Sequence, residues 1–358
     1  MKRRLGGLLL LLAGAAHAAG AGAQARPFEQ RFGDWTVACD NVRTCSAQGY
    51  RAMDESGPQA GLWLSRQAGP QGTWTAQLHL SGSDSPELPD GTLAEVRVGT
   101  RRFSRVPLDT DMPAATLQAL VKAMLEAPQM QVTAAGSTAT VSLQGLKAAL
   151  LKMDDVQGRV GTVTAWVARG KAAPSQVPAA PAMPLIEAAP PPVQLPEQEA
   201  RPLLARLRAL PSVRSECALL GEAVDEADRL PDATLFRIAS GSYLLLMDCG
   251  RAAYQISSRL WRVTLRPQLA ARPEVLPDVG EPALDLMNAD FSEGRLNTWH
   301  KGRGVGDCGS SRQWVWTATG FALRTADESP DCNGLFGGGP GLGLWQAEVR
   351  TTAAPAKR

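Results

Sequence analysis

The chain has 358 residues, 44% of them hydrophobic and 20% charged, with a formal net charge of +2. That is an ordinary soluble composition, with apolar material for two modest cores. It has no long basic tract and no basic helix face, which excludes nucleic acid or an anionic membrane as an electrostatic partner.

The N-terminus reads as a secretory signal peptide over residues 1–25. Lys2, Arg3 and Arg4 form a positive start, and Leu5 to Ala16 a short apolar run. Small-residue cleavage sites follow at Ala18, Ala23 and Ala25. The run is too short and glycine-rich for a transmembrane anchor. Without Lys2, Arg3 and Arg4, 34 basic residues (37 less three) face 35 acidic ones, so the mature chain is close to neutral.

Six cysteines in an exported chain predict disulfides rather than thiol or metal chemistry. The domain plan favours sequential pairing: Cys39–Cys45, Cys217–Cys249 and Cys308–Cys332. No Cys-x-x-Cys motif and no zinc spacing is present, so neither a metal nor another cofactor is expected.

In chain order, Phe32, Trp35 and Val37 mark a strand, and Cys39-Asp40-Asn41 a turn. Cys45 returns on the partner strand. Gly61 to Arg66 and Thr73 to Leu80 alternate as strands around a Pro70-Gln71-Gly72 turn. In the second of these, His79 faces away from Leu78 and Leu80, toward solvent. Leu93 to Phe103 is a further strand. A helix follows, with Asp111 as N-cap, Pro113 in its first turn, and Leu117, Leu120, Val121, Met124 and Leu125 on one stripe. Met130 to Thr133 and Thr138 to Leu143 are short strands. Leu146, Ala149, Leu150 and Met153 mark a second helix, and Val160 to Val167 a closing strand.

Residues 171–200 hold eight prolines and no periodicity. They read as an extended linker between domains that move relative to one another. Beyond it, a helix is expected over Arg201 to Leu210. Strands follow at Thr234–Ala239, Tyr243–Cys249, Ser258–Leu265, Ala283–Phe291, Arg295–Trp299, Arg312–Thr317, Gly320–Arg324 and Leu344–Val349. Gly337 to Gly343 reads as a mobile loop. The expected fold is α+β and β-rich: two domains of mainly antiparallel sheet with a few amphipathic helices, 26–170 and 201–352, joined by the Pro/Ala linker.

The most information-rich stretch is Lys301 to Leu323, KGRGVGDCGSSRQWVWTATGFAL. Its glycines allow an anion-binding nest with Arg303 as a charged fork, or a disulfide-stapled turn with Asp307 bonded to its backbone. The staple is the better account, because Asp-Cys recurs at Asp248-Cys249, Asp307-Cys308 and Asp331-Cys332. Ligand-binding candidates are Lys301, Arg303, Asp307, His300, Trp314 and Trp316. The two tryptophans offer a platform for a sugar or peptide, although their i, i+2 spacing on a half-buried strand favours the inner face. A His300, Asp307, Ser310 hydrolase lacks a nucleophile-elbow motif, so no catalytic residue is assigned.

Two segments carry a family likeness. FGDWTVACDNVRTCSAQGY resembles the opening of the secreted bacterial family catalogued as domain of unknown function 1176. KGRGVGDCGSSRQWVWTATGFAL, with the later DCNG and Leu344-Trp345, resembles its C-terminal signature. Phe32, Asp34, Trp35 and Cys39, with VSLQGLKAAL at Val141 to Leu150, are also similar to the invasion-associated locus B family. The resemblance implies an exported Gram-negative protein, periplasmic or secreted, without an assigned activity. The expected function is a non-catalytic binding or interaction module. Its partner would be a small anionic or glycan ligand, or an envelope protein; the alternative is an envelope hydrolase acting through His300 and Asp307.

Overall fold

The computed structural model describes residues 25–50, 57–81, 88–220, 231–335 and 338–351. The expected signal peptide lies outside them, save its last residue. Five consecutive strands form an antiparallel meander: β1 (Phe28–Phe32), β2 (Trp35–Cys39), β3 (Cys45–Tyr50), β4 (Ala60–Arg66) and β5 (Trp74–Leu80). Cys39 and Cys45 face each other across β2 and β3 and are bonded, with Cα atoms 4.0 Å apart. His79 is not solvent-facing as expected. Its ring packs edge-on against Trp63 at 4.6 Å, and its Nδ1 meets Asp109 at 2.5 Å.

The strand expected over 93–103 is two strands, β6 (Leu93–Val98) and β7 (Arg101–Pro107). The chain reverses in two residues at Gly99-Thr100, where Gly99 has φ +57°. Helix α1 (Ala114–Met124) buries Leu117, Leu120, Val121 and Met124, as its stripe predicts. Asp111 does not cap it. The helix begins after Pro113, and the Asp111 carboxylate instead accepts a bond from Gln77 at 3.0 Å. Strands β8 (Gln129–Ala134) and β9 (Ser137–Ser142) complete a four-stranded sheet in the order β7-β6-β8-β9. Helix α2 (Leu146–Val156) buries Leu146, Ala149, Leu150 and Met153 in the same core as the meander and α1.

No strand forms at 160–167, which is a run of turns. The N–H groups of Trp166 and Val167 go to the buried Asp154 carboxylate, at 2.6 and 3.2 Å, rather than to a neighbouring strand. Arg159, fully buried, donates to the carbonyls of Gln67 and Gly69.

The proline-rich stretch is not an unpaired spacer. It carries β10 (Leu185–Ala188) and β11 (Val193–Gln194) and leads into α3 (Glu197–Arg208). Helix α4 (Pro211–Arg214) follows. Next come β12 (Ala233–Ala239), β13 (Ser242–Arg251), β14 (Ile256–Thr264), β15 (Ala270–Pro273) and β16 (Leu286–Met287). These strands and β11 make a sheet in the order β11-β12-β13-β14-β15, with β16 on β14.

The last strands are β17 (Asp290–Ser292), β18 (Arg295–Lys301), β19 (Gly309–Thr317), β20 (Gly320–Ser329), β21 (Leu342–Gln346) and β22 (Glu348–Thr351). With β10 they form a second sheet, in which β10 lies parallel to β22. The strand expected at 283–291 is therefore two short pieces, β16 and β17. Of the loop expected at 337–343, residue 337 lies outside the described residues, and β21 already begins at Leu342.

The β12–β15 sheet is covered on both sides. Leu235, Leu245, Trp261 and Val263 pack under α3 and α4. Phe236, Leu244 and Leu260 face Phe291, Leu296, Trp314 and Phe321 of the second sheet. The run Leu244 to Met247 is apolar throughout because both of its faces are inside. The protein is β-rich, with mainly antiparallel sheets and few helices.

Its N-terminal meander is also covered twice. All five residues of β2 are buried, since the C-terminal chain lies over the face that α2 leaves open. Gln346 donates to Asp40, and its backbone N–H to Asn41 at 2.8 Å. Leu335 packs with Tyr50 and Trp63.

Candidate functional site

The turn singled out by its glycines joins β18 to β19. Lys301 and Gly309 close the ladder, and the Gly302 N–H donates to the Cys308 carbonyl at 2.8 Å. A Cβ on Gly302 would lie 2.5 Å from the Cys308 sulfur, and one on Gly304 would lie 2.7 Å from the Tyr254 ring. These glycines are needed for close approach, not for presenting N–H groups outward. The Cys308–Cys332 disulfide ties the turn to the segment before β21, with Cα atoms 4.6 Å apart.

Arg303 and Asp307 are brought together, but with each other. The Arg303 Nε donates to Asp307 Oδ1 at 2.6 Å, and its terminal nitrogen reaches Oδ2. Asp307 is fully buried and also accepts the Gly334 N–H at 2.6 Å. Burial opposes its ionisation, yet the Arg303 guanidinium and the Gly334 N–H outweigh that and hold the carboxyl below its usual value. Asp307, Cys308 and Cys332 also cluster within 4.8 Å, but the two sulfurs are bonded to each other and offer no thiolate to a metal.

The other expected residues do not converge on this pair. Lys301 is fixed through its backbone, whose N–H and C=O both bond to the Gln255 side chain, at 2.7 and 2.9 Å. His300 is exposed, opposite Ser310 across the ladder, and its side chain has no hydrogen-bond or ion-pair partner among the described residues. Trp314 and Trp316 form no platform. Trp314 is 1% exposed, with its indole N–H on the Pro277 carbonyl. Trp316 packs edge-on to Phe321 at 5.2 Å, under Arg262. A ring buried in an inter-sheet core has no face left for a sugar.

A cleft missed in the sequence lies on the same sheet. It has a volume of about 510 Å³ and is mostly apolar. Phe321, Leu323 and Trp345 line it from β20 and β21, Ile186 from β10, and Pro27 from the start of the described chain. The Trp345 indole N–H is fixed on the Leu323 carbonyl at 3.0 Å, which orients its ring. At the rim, Asp278 accepts from Arg312 at 2.7 Å. The tryptophan after Leu344 was visible in the sequence. Its neighbours come from four other segments of the chain, and no local pattern announces them.

All three expected disulfides are present. Among the described residues no helix is long and apolar enough to cross a membrane. No solved structure matches the chain. It is 32% identical over 345 residues to the Escherichia coli K12 protein titled "Uncharacterized protein YpfG", covering 90% of this chain and 93% of that one. A family model described as "Protein of unknown function (DUF1176)" matches residues 29–351. Together, a match over nearly the whole described chain and a relative aligned almost end to end place this chain in the DUF1176 family.

Proposed function

We propose that this chain is an exported, non-catalytic binding protein of the Gram-negative envelope, and that it holds a mainly apolar ligand in the Trp345 cleft. The observation that carries this reading is the cleft itself. Its volume falls in the range of small-molecule sites, and it combines an apolar lining with one fixed carboxylate at the rim. Three disulfides support maturation in an oxidising compartment. The Arg303–Asp307 pair supports a scaffold role for the glycine turn. A hydrolase through His300 and Asp307 is disfavoured, because the acid is turned inward onto Arg303 and Gly334.

The test is titration with the neutral fluorophore N-phenyl-1-naphthylamine. Binding to the wild type and its loss in Ala322→Trp, which fills the cleft from β20, is expected. Equal binding to both proteins, or none to either, would reject the cleft. Export is checked separately. The protein should be recovered from periplasm with its N-terminus after Ala18, Ala23 or Ala25. Turnover of cell-wall fragments abolished by His300→Ala would replace the binding reading with the hydrolase.

A further inference from the structure

A second cleft, of about 550 Å³, lies in the first half of the chain between α1 and the turn at 165–169. Its lining is unlike that of the Trp345 cleft. Lys122 and Arg169 line it, and among the described residues no carboxylate does. Both cations are exposed, and neither has an ion-pair partner among the described residues. Arg169 is nevertheless held in place. Its Nε donates to the Ala165 carbonyl at 2.7 Å, and its guanidinium lies 5.9 Å from the centre of the Trp166 ring. That leaves the two terminal nitrogens as a free fork. Trp166 and Leu125 supply the apolar wall, and Gln118 a neutral polar group.

Positive charge also stands behind the apolar wall. Trp166 stacks edge-on against Trp74 at 5.2 Å, and Arg66 lies over Trp74 at 4.8 Å. Behind them, the buried Arg66 pairs with Asp154 at 3.3 Å, whereas the buried Arg159 donates to Gln157 and to the carbonyls of Gln67 and Gly69 and makes no ion pair among the described residues. Arg66 is pushed down to about 9 by its burial and by repulsion from Arg159, with Arg169 adding to it. Among the described residues its Nε has no hydrogen-bond partner, and neither does the indole N–H of Trp166. An anion entering the cleft would offset this excess and meet the Arg169 fork in a two-point contact. An apolar body would lie against Trp166 and Leu125.

We propose that this cleft binds a small organic anion, a carboxylate or a phosphate ester joined to an apolar ring or chain. The proposal is independent of the Trp345 cleft, which has no cation in its lining among the described residues.

The probe is 1-anilinonaphthalene-8-sulfonate, an anion with an apolar body, titrated into the full chain. The expected result is saturable binding that weakens at least tenfold in Arg169→Gln. Binding should also weaken from 50 mM to 500 mM salt (roughly a Debye length of 14 Å against 4 Å). Binding of the neutral naphthylamine should be unchanged in Arg169→Gln, so failure of one cleft is read apart from failure of the other. Ala119→Trp, which fills the cleft without touching a charge, should abolish binding of the anionic probe and keeps the test valid if Arg169→Gln unfolds. Displacement by benzoate, or by phenyl phosphate, supports the proposal and tells the two head groups apart. Equal binding of the anionic probe to the wild type and to Ala119→Trp, no binding to the wild type, or displacement by neither competitor overturns it.

Discussion

The Thr36 hydroxyl donates to the Asp331 carboxylate at 2.9 Å, joining residues 295 apart in the chain. Arg31 meets the other oxygen of that carboxylate at 2.8 Å. A carboxylate next to the last disulfide is thus anchored on the first two strands, and the two halves of the chain are bonded through their buried faces.

Thr36→Val is expected to lower stability by about 1–2 kcal/mol, since it leaves a buried carboxylate oxygen without its donor. Urea unfolding measures it. A double-mutant cycle with Asp331→Asn should give a coupling of about 1 kcal/mol. Strict additivity of the two changes would show that the bond is not made in solution.

Asp154→Ala should be among the most damaging single changes, at about 3–5 kcal/mol. It strips the buried Arg66 of its counter-charge and leaves the Trp166 and Val167 N–H groups unbonded. The double variant Asp154→Ala with Arg66→Met should recover part of the loss, because the buried Arg66 charge no longer stands without its partner. Chemical denaturation of the three proteins decides the point. A double variant no better than Asp154→Ala contradicts the account.

The Arg303–Asp307 pair makes stability depend on acid in a stated direction. The Asp307 carboxyl is depressed in the folded chain, so its contribution is complete above about pH 4 and is lost as the pH falls below that. Arg303→Ala removes the largest cause of the depression. The gap between wild type and variant should be flat from about pH 7 to pH 5 and should narrow toward about pH 3. Arg303 is half exposed, so solvent screening keeps the gap at neutral pH to about 1 kcal/mol. Urea midpoints across that range test it, and a gap of constant size at pH 3 refutes it.

Replacing Cys308 and Cys332 together by serine opens a link between residues 24 apart in sequence and should cost about 3 kcal/mol. Thermal unfolding of the two proteins in the absence of reductant measures the loss. An unchanged midpoint would mean that Asp307 and Gly302 hold the turn unaided.

Local pattern made much of this architecture legible. The alternation in β5 and the leucine stripes of α1 and α2 are written at fixed periods, and each faces a core. Sequential cysteine pairing was readable because each pair joins neighbouring segments. What local pattern could not reveal depends on partners far away. Strand β10 sits among prolines and becomes a strand because β22 on one side and β19 on the other supply its hydrogen bonds. The apparent strand at 160–167 gives two of its N–H groups, those of Trp166 and Val167, to Asp154, which no hydrophobic period records. Arg303 and Asp307 were visible as a charge pair on a glycine frame, but not that they would bond to each other. Lys122 and Arg169 lie in separate elements, and only the fold sets them around one cleft.

The pairing of β10 with β22 also sets an order on synthesis. Leu185 lies opposite Glu348, and Ala188 opposite Thr351. A nascent chain halted before Glu348 would therefore display β10 with an open edge, free to recruit a strand from another molecule. Pairing with Glu348–Thr351 covers that edge, so β10 is shielded only after those four residues have been made.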